Sequence, residues 1–207
     1  MGTESGEQNE FYRSNLIEEV LIGILLGDGW LEKAKVNARF RFEQSHIRTD
    51  FFFQVFKFFC FYSPNTPKLR ERLDKRTLKT YKTWHFTTLS TPFFTYYHNL
   101  FYTKTETGYK KTIPNNIIEL ITPVSLAYWL MCDGYKKNKG VGLATNSFSI
   151  SDNKKLITAL NNKFGFNCWM VSDHGQPTIF IPHSDLASLQ QLVLPYMLPS
   201  LLYKIHL

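Results

Sequence analysis

The chain has 207 residues, a formal charge of +7, 43% hydrophobic residues and 16% aromatic ones. That is enough apolar material for one sizeable domain or two small ones, while no apolar run approaches the ~20 residues that cross a bilayer, so no membrane partner is expected. Three cysteines without CxxC or Cys/His spacing argue against a zinc site or a disulfide framework, and the surplus of Lys and Arg leaves two classes open: a basic enzyme without a polyanionic partner, or a binder of nucleic acid through its phosphates.

The opening MGTESGEQNE is polar and acidic, unlike a transit peptide or secretory signal, and residues 1–14 are expected to form a flexible leader. Asn15 can cap a helix over LIEEVLIGILLG, which Asp28-Gly29 stops. In NARFRFEQS, Phe40 and Phe42 alternate with Arg39, Arg41 and Glu43, the pattern of a half-buried strand. Thr49 is then expected to cap the aromatic helix DFFFQVFKFFCFY, whose rings read as core. Strands follow near Leu69 to Leu73 and in YKTWHFTTL, and Thr91-Pro92 opens a further helix. The N-terminal half so defined is 15–104, and the turn-rich, charged stretch 105–121 reads as a linker.

The order then repeats over 122–207. Thr122-Pro123 starts the helix VSLAYWLMC, Asp133-Gly134 ends it, and VGLATNSFS is a strand. Ser151 or Asp152 caps a helix that stops at Gly165, and a hairpin turns near His174-Gly175. Ser184 or Asp185 caps a last helix. The class is α+β with an internal duplication, which suits a two-stranded partner.

LIGILLGDGW and LAYWLMCDGY each end an apolar helix in Asp-Gly-aromatic. An aspartate there faces the negative end of the helix dipole and needs a cation nearby. If the helices pack along Gly23 and Gly27 on one side and Ala127 and Cys132 on the other, Asp28 and Asp133 emerge together. With the carbonyls of Gly27 and Cys132 they would make an all-oxygen site suited to Mg²⁺ and to phosphodiester hydrolysis. The plainer alternative is that each Asp-Gly is a helix stop.

These two phrases resemble the paired motifs of the single-chain LAGLIDADG homing endonucleases, and KKTIPNN, NKFGFNC and LPSLLYKI are similar to stretches found in the same order in that family. The resemblance covers roughly residues 15–207. It implies a pseudo-two-fold αββαββα repeat, motif helices at the centre, two antiparallel sheets forming a saddle over DNA, Asp28 and Asp133 as metal ligands, and Lys111 and Lys204 near the scissile phosphates. Tyr128 stands where the first motif has Gly23, so the two halves are not equivalent.

Candidate base-reading residues on the strands are Arg39, Arg41, Glu43, Lys82 or its neighbours Thr83 and His85, then Thr145, Asn146, Asp173 and Gln176. Arg70, Arg72, Lys136 and Lys137 are candidates for phosphate contacts, as are Lys75-Arg76 and Lys154-Lys155. The reading is a monomeric, Mg²⁺-dependent double-strand DNA endonuclease of a mobile group I intron, encoded in a mitochondrion. The alternative on the same fold is a non-cleaving protein that binds group I intron RNA.

Overall fold

A computed structural model describes residues 4–173 and 175–207, with side chains from residue 15 onward. In chain order its elements are α1 (Glu4–Leu26), β1 (Trp30–Lys33), β2 (Ala38–Ser45), α2 (Thr49–Phe59), β3 (Lys68–Asp74), β4 (Lys79–Thr87), α3 (Pro92–Phe101), β5 (Tyr102–Thr105) and β6 (Gly108–Lys111). There follow α4 (Ile117–Leu120), α5 (Pro123–Asp133), β7 (Gly134–Lys137), β8 (Gly140–Leu143), α6 (Ile150–Phe164), β9 (Trp169–Asp173), β10 (Gln176–Ile181) and α7 (Leu186–Val193). The chain divides into two compact units, Asp28–Asn99 and a second made of Met1–Gly27 with Leu100–Leu207.

The Asp28–Asn99 unit is built on an antiparallel sheet of order β1-β2-β4-β3. Alternation along β2 sends Ala38, Phe40 and Phe42 inward. There Phe40 meets Phe59 of α2 with ring centroids 4.7 Å apart, and Phe42 stacks on Phe52 at 5.8 Å. Six fully buried phenylalanines, Phe40, Phe42, Phe51, Phe52, Phe59 and Phe94, make this core, as the aromatic run suggests. The helix start differs from the expectation. Arg48 occupies the N-cap of α2 without a side-chain capping bond, and the Thr49 hydroxyl donates to the carbonyl of His46 and accepts the indole N–H of Trp84 at 3.0 Å.

His98, on α3, is 1% exposed, and burial, with Lys33 adding to it, pushes its pKa below the ordinary 6.5. The folded chain therefore prefers neutral imidazole while the unfolded chain takes up a proton near 6.5. Its stabilising contribution is complete above that pH and is lost as pH falls through the lower folded value. Urea midpoints at about pH 7.5 and about pH 5.5 should separate more for the parent than for His98→Phe, and equal separations would refute the assignment.

In the second unit α1 and α5 pack on each other. Val20 to Leu26 and Val124 to Cys132 are buried all round, as expected of helices enclosed by protein rather than lying on a surface. α5 starts as read: Thr122 and Ser125 form a reciprocal capping box and Pro123 fills the first turn. The sheet runs β7-β8-β10-β9, the same order as the first. Val141, Leu143, Ile179 and Ile181 point to a face with no exposed surface, against which α6 packs. Gly165, at φ +70°, ends α6 with its N–H on the carbonyl of Asn161.

Other boundaries move. α1 is already helical at Glu4, so Asn15 lies inside it rather than capping it, and of the expected leader only residues 1–3 lie outside the described residues. The stretch read as a linker begins at the last residue of β5 and holds the turn and second strand of the hairpin β5–β6, and α4. Ser149, not Ser151 or Asp152, caps α6; the Asp152 carboxylate instead accepts from Ser149 and from the backbone N–H of Ile113. Asp185 occupies the N-cap of α7, but its carboxylate is taken by Asn167. His174, at the expected hairpin turn, lies outside the described residues.

Candidate functional site

The cation that each helix end demands is present. Lys111, closing β6, donates to the carbonyls of Leu25 at 2.9 Å and Gly27 at 3.4 Å at the C-terminus of α1. Lys204, in the 3-10 turn Pro199–Ile205, donates to the carbonyls of Leu130, Met131 and Cys132 at 3.3, 2.7 and 2.9 Å at the C-terminus of α5. Lys204 is only 2% exposed, and three carbonyl oxygens replace the hydration its ammonium gives up. A positive charge on free helix carbonyls offsets the dipole, which makes an acidic residue at the same end tolerable.

The helices meet through their small positions. A β-carbon placed on Gly23 would stand 2.3 Å from the carbonyl oxygen of Ser125 and 2.8 Å from Cβ of Tyr128. One on Gly27 would stand 2.4 Å from Cβ of Cys132 and 3.5 Å from Oδ2 of Asp133. Ala127 is fully buried, but the atoms nearest the two glycines come from Ser125, Tyr128 and Cys132. The Asp133 carboxylate thus lies against the C-terminal end of α1, at the residue before Asp28.

Asp28 is exposed, and its Oδ2 accepts from the Gln44 amide at 2.7 Å. Sequence reasoning passed over Gln44, although the signal was present: it follows Phe40 and Phe42 on the inward face of β2, where an amide needs a reason. Among the described residues no group of three or more His, Cys, Asp or Glu comes together. A divalent ion held by Asp28 or Asp133 would complete its shell with carbonyl, water or phosphate oxygens, a donor set that fits a hard cation such as Mg²⁺.

Residues paired across an antiparallel ladder share a face. The register Arg41↔Thr87, Glu43↔His85, Lys68↔His85 and Arg70↔Thr83 puts Arg39, Arg41, Glu43, Lys68, Arg70, Arg72 and His85 together on the face opposite the phenylalanines. Its charges are prearranged. Glu32 receives Arg39 at 2.8 Å and Arg41 at 3.1 Å, Arg41 lies over the Trp30 ring, and Arg70 is 3.5 Å from Glu43. The hydrogen bond from Arg39, with Arg41 behind it, holds the Glu32 carboxyl below its usual range. Burial first, then Arg70, lowers the pKa of His85. Lys82 is on the other face, with Trp84 and Phe86, and is paired with Glu71 at 2.7 Å. Of the alternatives Lys82, Thr83 and His85, the ladder sets the last two on the polar face.

In the second sheet the expected readers scatter. Thr145 is fully buried, its hydroxyl on Asn153, and β8 ends before it; burial removes it as a contact. Asn146 is exposed beyond the strand. Lys136 is paired with Val141 and so sits at the edge of the core-facing side, whereas Lys137 and Gln176 are on the solvent side. Asp173 accepts from Tyr135 at 2.8 Å and Lys137 at 3.3 Å. Lys154 is exposed on α6, and Lys155 donates to the Ile113 carbonyl.

Three comparisons bear on this arrangement. The model of the LAGLIDADG DNA endonuclease family matches residues 18–189. The chain is 33% identical, over 93% of its length and 84% of the relative's, to a probable intron-encoded endonuclease of Wickerhamomyces canadensis. It is 29% identical over 91% of its length to the cytochrome b mRNA maturase bI2 of Saccharomyces cerevisiae, of which it spans only 47%. Its structure is similar to that of the homing endonuclease I-WcaI bound to its DNA recognition sequence, with a TM-score of 0.84, 30% identity, and coverage of 99% of this chain and 94% of that one.

Proposed function

The chain belongs to the LAGLIDADG DNA endonuclease family, and on that premise we propose that it is a Mg²⁺-dependent homing endonuclease that cuts both strands of a long, asymmetric DNA site. The observation that carries the reading is the doubled helix end, with Asp28 just past α1, Asp133 closing α5, and a lysine on the carbonyls of each.

Asp28 and Asp133 would each ligate a divalent ion, with the carbonyl of Gly27 or Cys132 at the same helix end. Bound there, it would neutralise charge on the phosphodiester and make a bound water more acidic. Lys111 and Lys204 keep the carbonyls in place and balance the negative charge that develops on the phosphate oxygens as water attacks phosphorus and the P–O bond to the leaving strand end breaks. Gln44 orients the Asp28 carboxylate through its amide. The cationic face of the first sheet would engage phosphates and base edges. Because one chain carries both motifs, the acting species is a monomer. One relative's name supports an intron-encoded origin, and the cytochrome b message named in another fits a mitochondrial one.

The two halves differ beside their aspartates. The Ala144 N–H bonds the carbonyl of Asp133, so Thr145 lies one residue past that partner. Extending the Trp30↔Arg41 register sets Glu43 against Asp28 and Gln44 one residue past it. An amide thus serves one aspartate, while the corresponding hydroxyl is turned into Asn153. Gln44→Ala should slow cutting of one strand about 10- to 100-fold and leave nicked duplex as the main early product. Equal slowing of both strands would remove Gln44 from this role.

The test of the whole reading is incubation with a randomised library of long duplexes in Mg²⁺, with EDTA as control, and sequencing of the cut ends. The maturase among the relatives gives the test its second arm, a structured group I intron RNA. Cut duplexes support the proposal; tight RNA binding with no duplex cut in any library overturns it.

A further inference from the structure

The solvent face of the second sheet does not repeat the chemistry of the first. Tyr135, two residues after Asp133, corresponds to Trp30, two residues after Asp28. From it a row runs across the sheet through Tyr135↔Gly142, Gly142↔Phe180 and Phe180↔Trp169. Where the first sheet has Arg41 beside Trp30, the second has a glycine. A β-carbon on Gly142 would meet the Tyr135 ring at 2.3 Å, and one on Gly140 would meet the Phe180 ring at 2.6 Å, so the glycines let the rings lie down on the strands. Trp169 and Phe180 meet with centroids 5.0 Å apart, and Trp169 is 47% exposed. Val171 and Thr178 form the next row. The cation on this face, Lys137, has its ammonium on Asp173 and over the Tyr135 ring.

Guanidinium forks suit guanine, with its N7 and O6 acceptors. The Tyr135 hydroxyl is already given to Asp173, so the row offers mainly ring surface, and the apolar feature that the major groove presents to it is the thymine methyl group. The occupant follows from the repeat: within its own sheet this face is the counterpart of the cationic face that complements a polyanion, so it takes the same class of partner, duplex DNA. We propose that the second sheet reads an A·T-rich half-site through thymine methyl groups set against Tyr135, Phe180 and Trp169, while the arginines of the first sheet read the G·C content of the other half. This rests on the endonuclease reading above.

The experiment takes a duplex recovered from the cleaved library and replaces thymidine by deoxyuridine one position at a time, with the parent protein. Removing a methyl group should weaken binding about fourfold at several positions of one half-site and leave the other unchanged. Trp169→Ala, checked by its melting curve, should erase the thymidine-over-deoxyuridine preference nearest its position. Uniform tolerance of deoxyuridine overturns the inference, as does binding of single-stranded oligothymidine as tight as that of the duplex, which would make the row a stacking platform. Failure to recover any cleaved duplex strikes the endonuclease reading instead, so the two failures are distinguishable.

Discussion

Asp28→Asn and Asp133→Asn should each slow cleavage roughly a thousandfold while leaving DNA binding intact. The exchange keeps the side chain's size and one oxygen acceptor and removes only the charge that holds a divalent ion. In Asp28→Asn the new amide oxygen can still accept from Gln44, so the local fold has no reason to change. At position 133 the carboxylate faces the Gly27 end of α1, and an amide of the same size keeps that packing. Melting curves of both variants should stay close to the parent's, which separates a chemical role from a structural one. Single-turnover cleavage in Mg²⁺, with affinity measured in EDTA, reads both quantities. Cutting by either variant at a rate near the parent's would remove that aspartate from the site.

What the sequence made legible follows from period and spacing. The two apolar helices, the Phe40/Phe42 alternation, the Thr122-Pro123 start and the Gly165 stop each depend on a few neighbouring residues, and each appears in the structure. Register is a different matter. Lys82 and His85 lie on one strand three residues apart and therefore on opposite faces, and which face is wet depends on the partner Glu43 and on α2, far away in sequence. Thr145 reads as a strand residue, but its burial is decided by Asn153 from the next helix. Competition for side chains displaced two expected caps: the Thr49 hydroxyl is held by Trp84, and the carboxylate of Asp152 is drawn to Ile113. Among the site residues the aspartates announce themselves by repetition. Without the family resemblance, the lysines on the helix carbonyls would have looked like ordinary charges, since a helix end is completed by whatever the fold brings to it.

The helix crossing makes the sharpest demand on side-chain size. Neither Gly23 nor Gly27 has positive φ, so it is the missing β-carbon that matters, and alanine meets no backbone strain at either position. Gly27→Ala puts two β-carbons 2.4 Å apart, well inside contact distance, and either the helices separate or Cys132 moves. Overpacking of this kind costs ~3 kcal/mol, which lowers the melting temperature by roughly 6–12 °C in a chain of this size. Cys132→Gly removes the opposing atom, so the double variant should regain most of the loss, short of the ~1 kcal/mol that a glycine costs within a helix. Gly23→Ala should behave otherwise. Its added carbon meets the Ser125 carbonyl oxygen at 2.3 Å, a backbone atom that no trimming of the facing helix removes, so shortening Tyr128 should not rescue it. Melting curves of the two single variants and their paired revertants decide the matter. Rescue at position 23, or none at 27, would mean that the helices cross elsewhere.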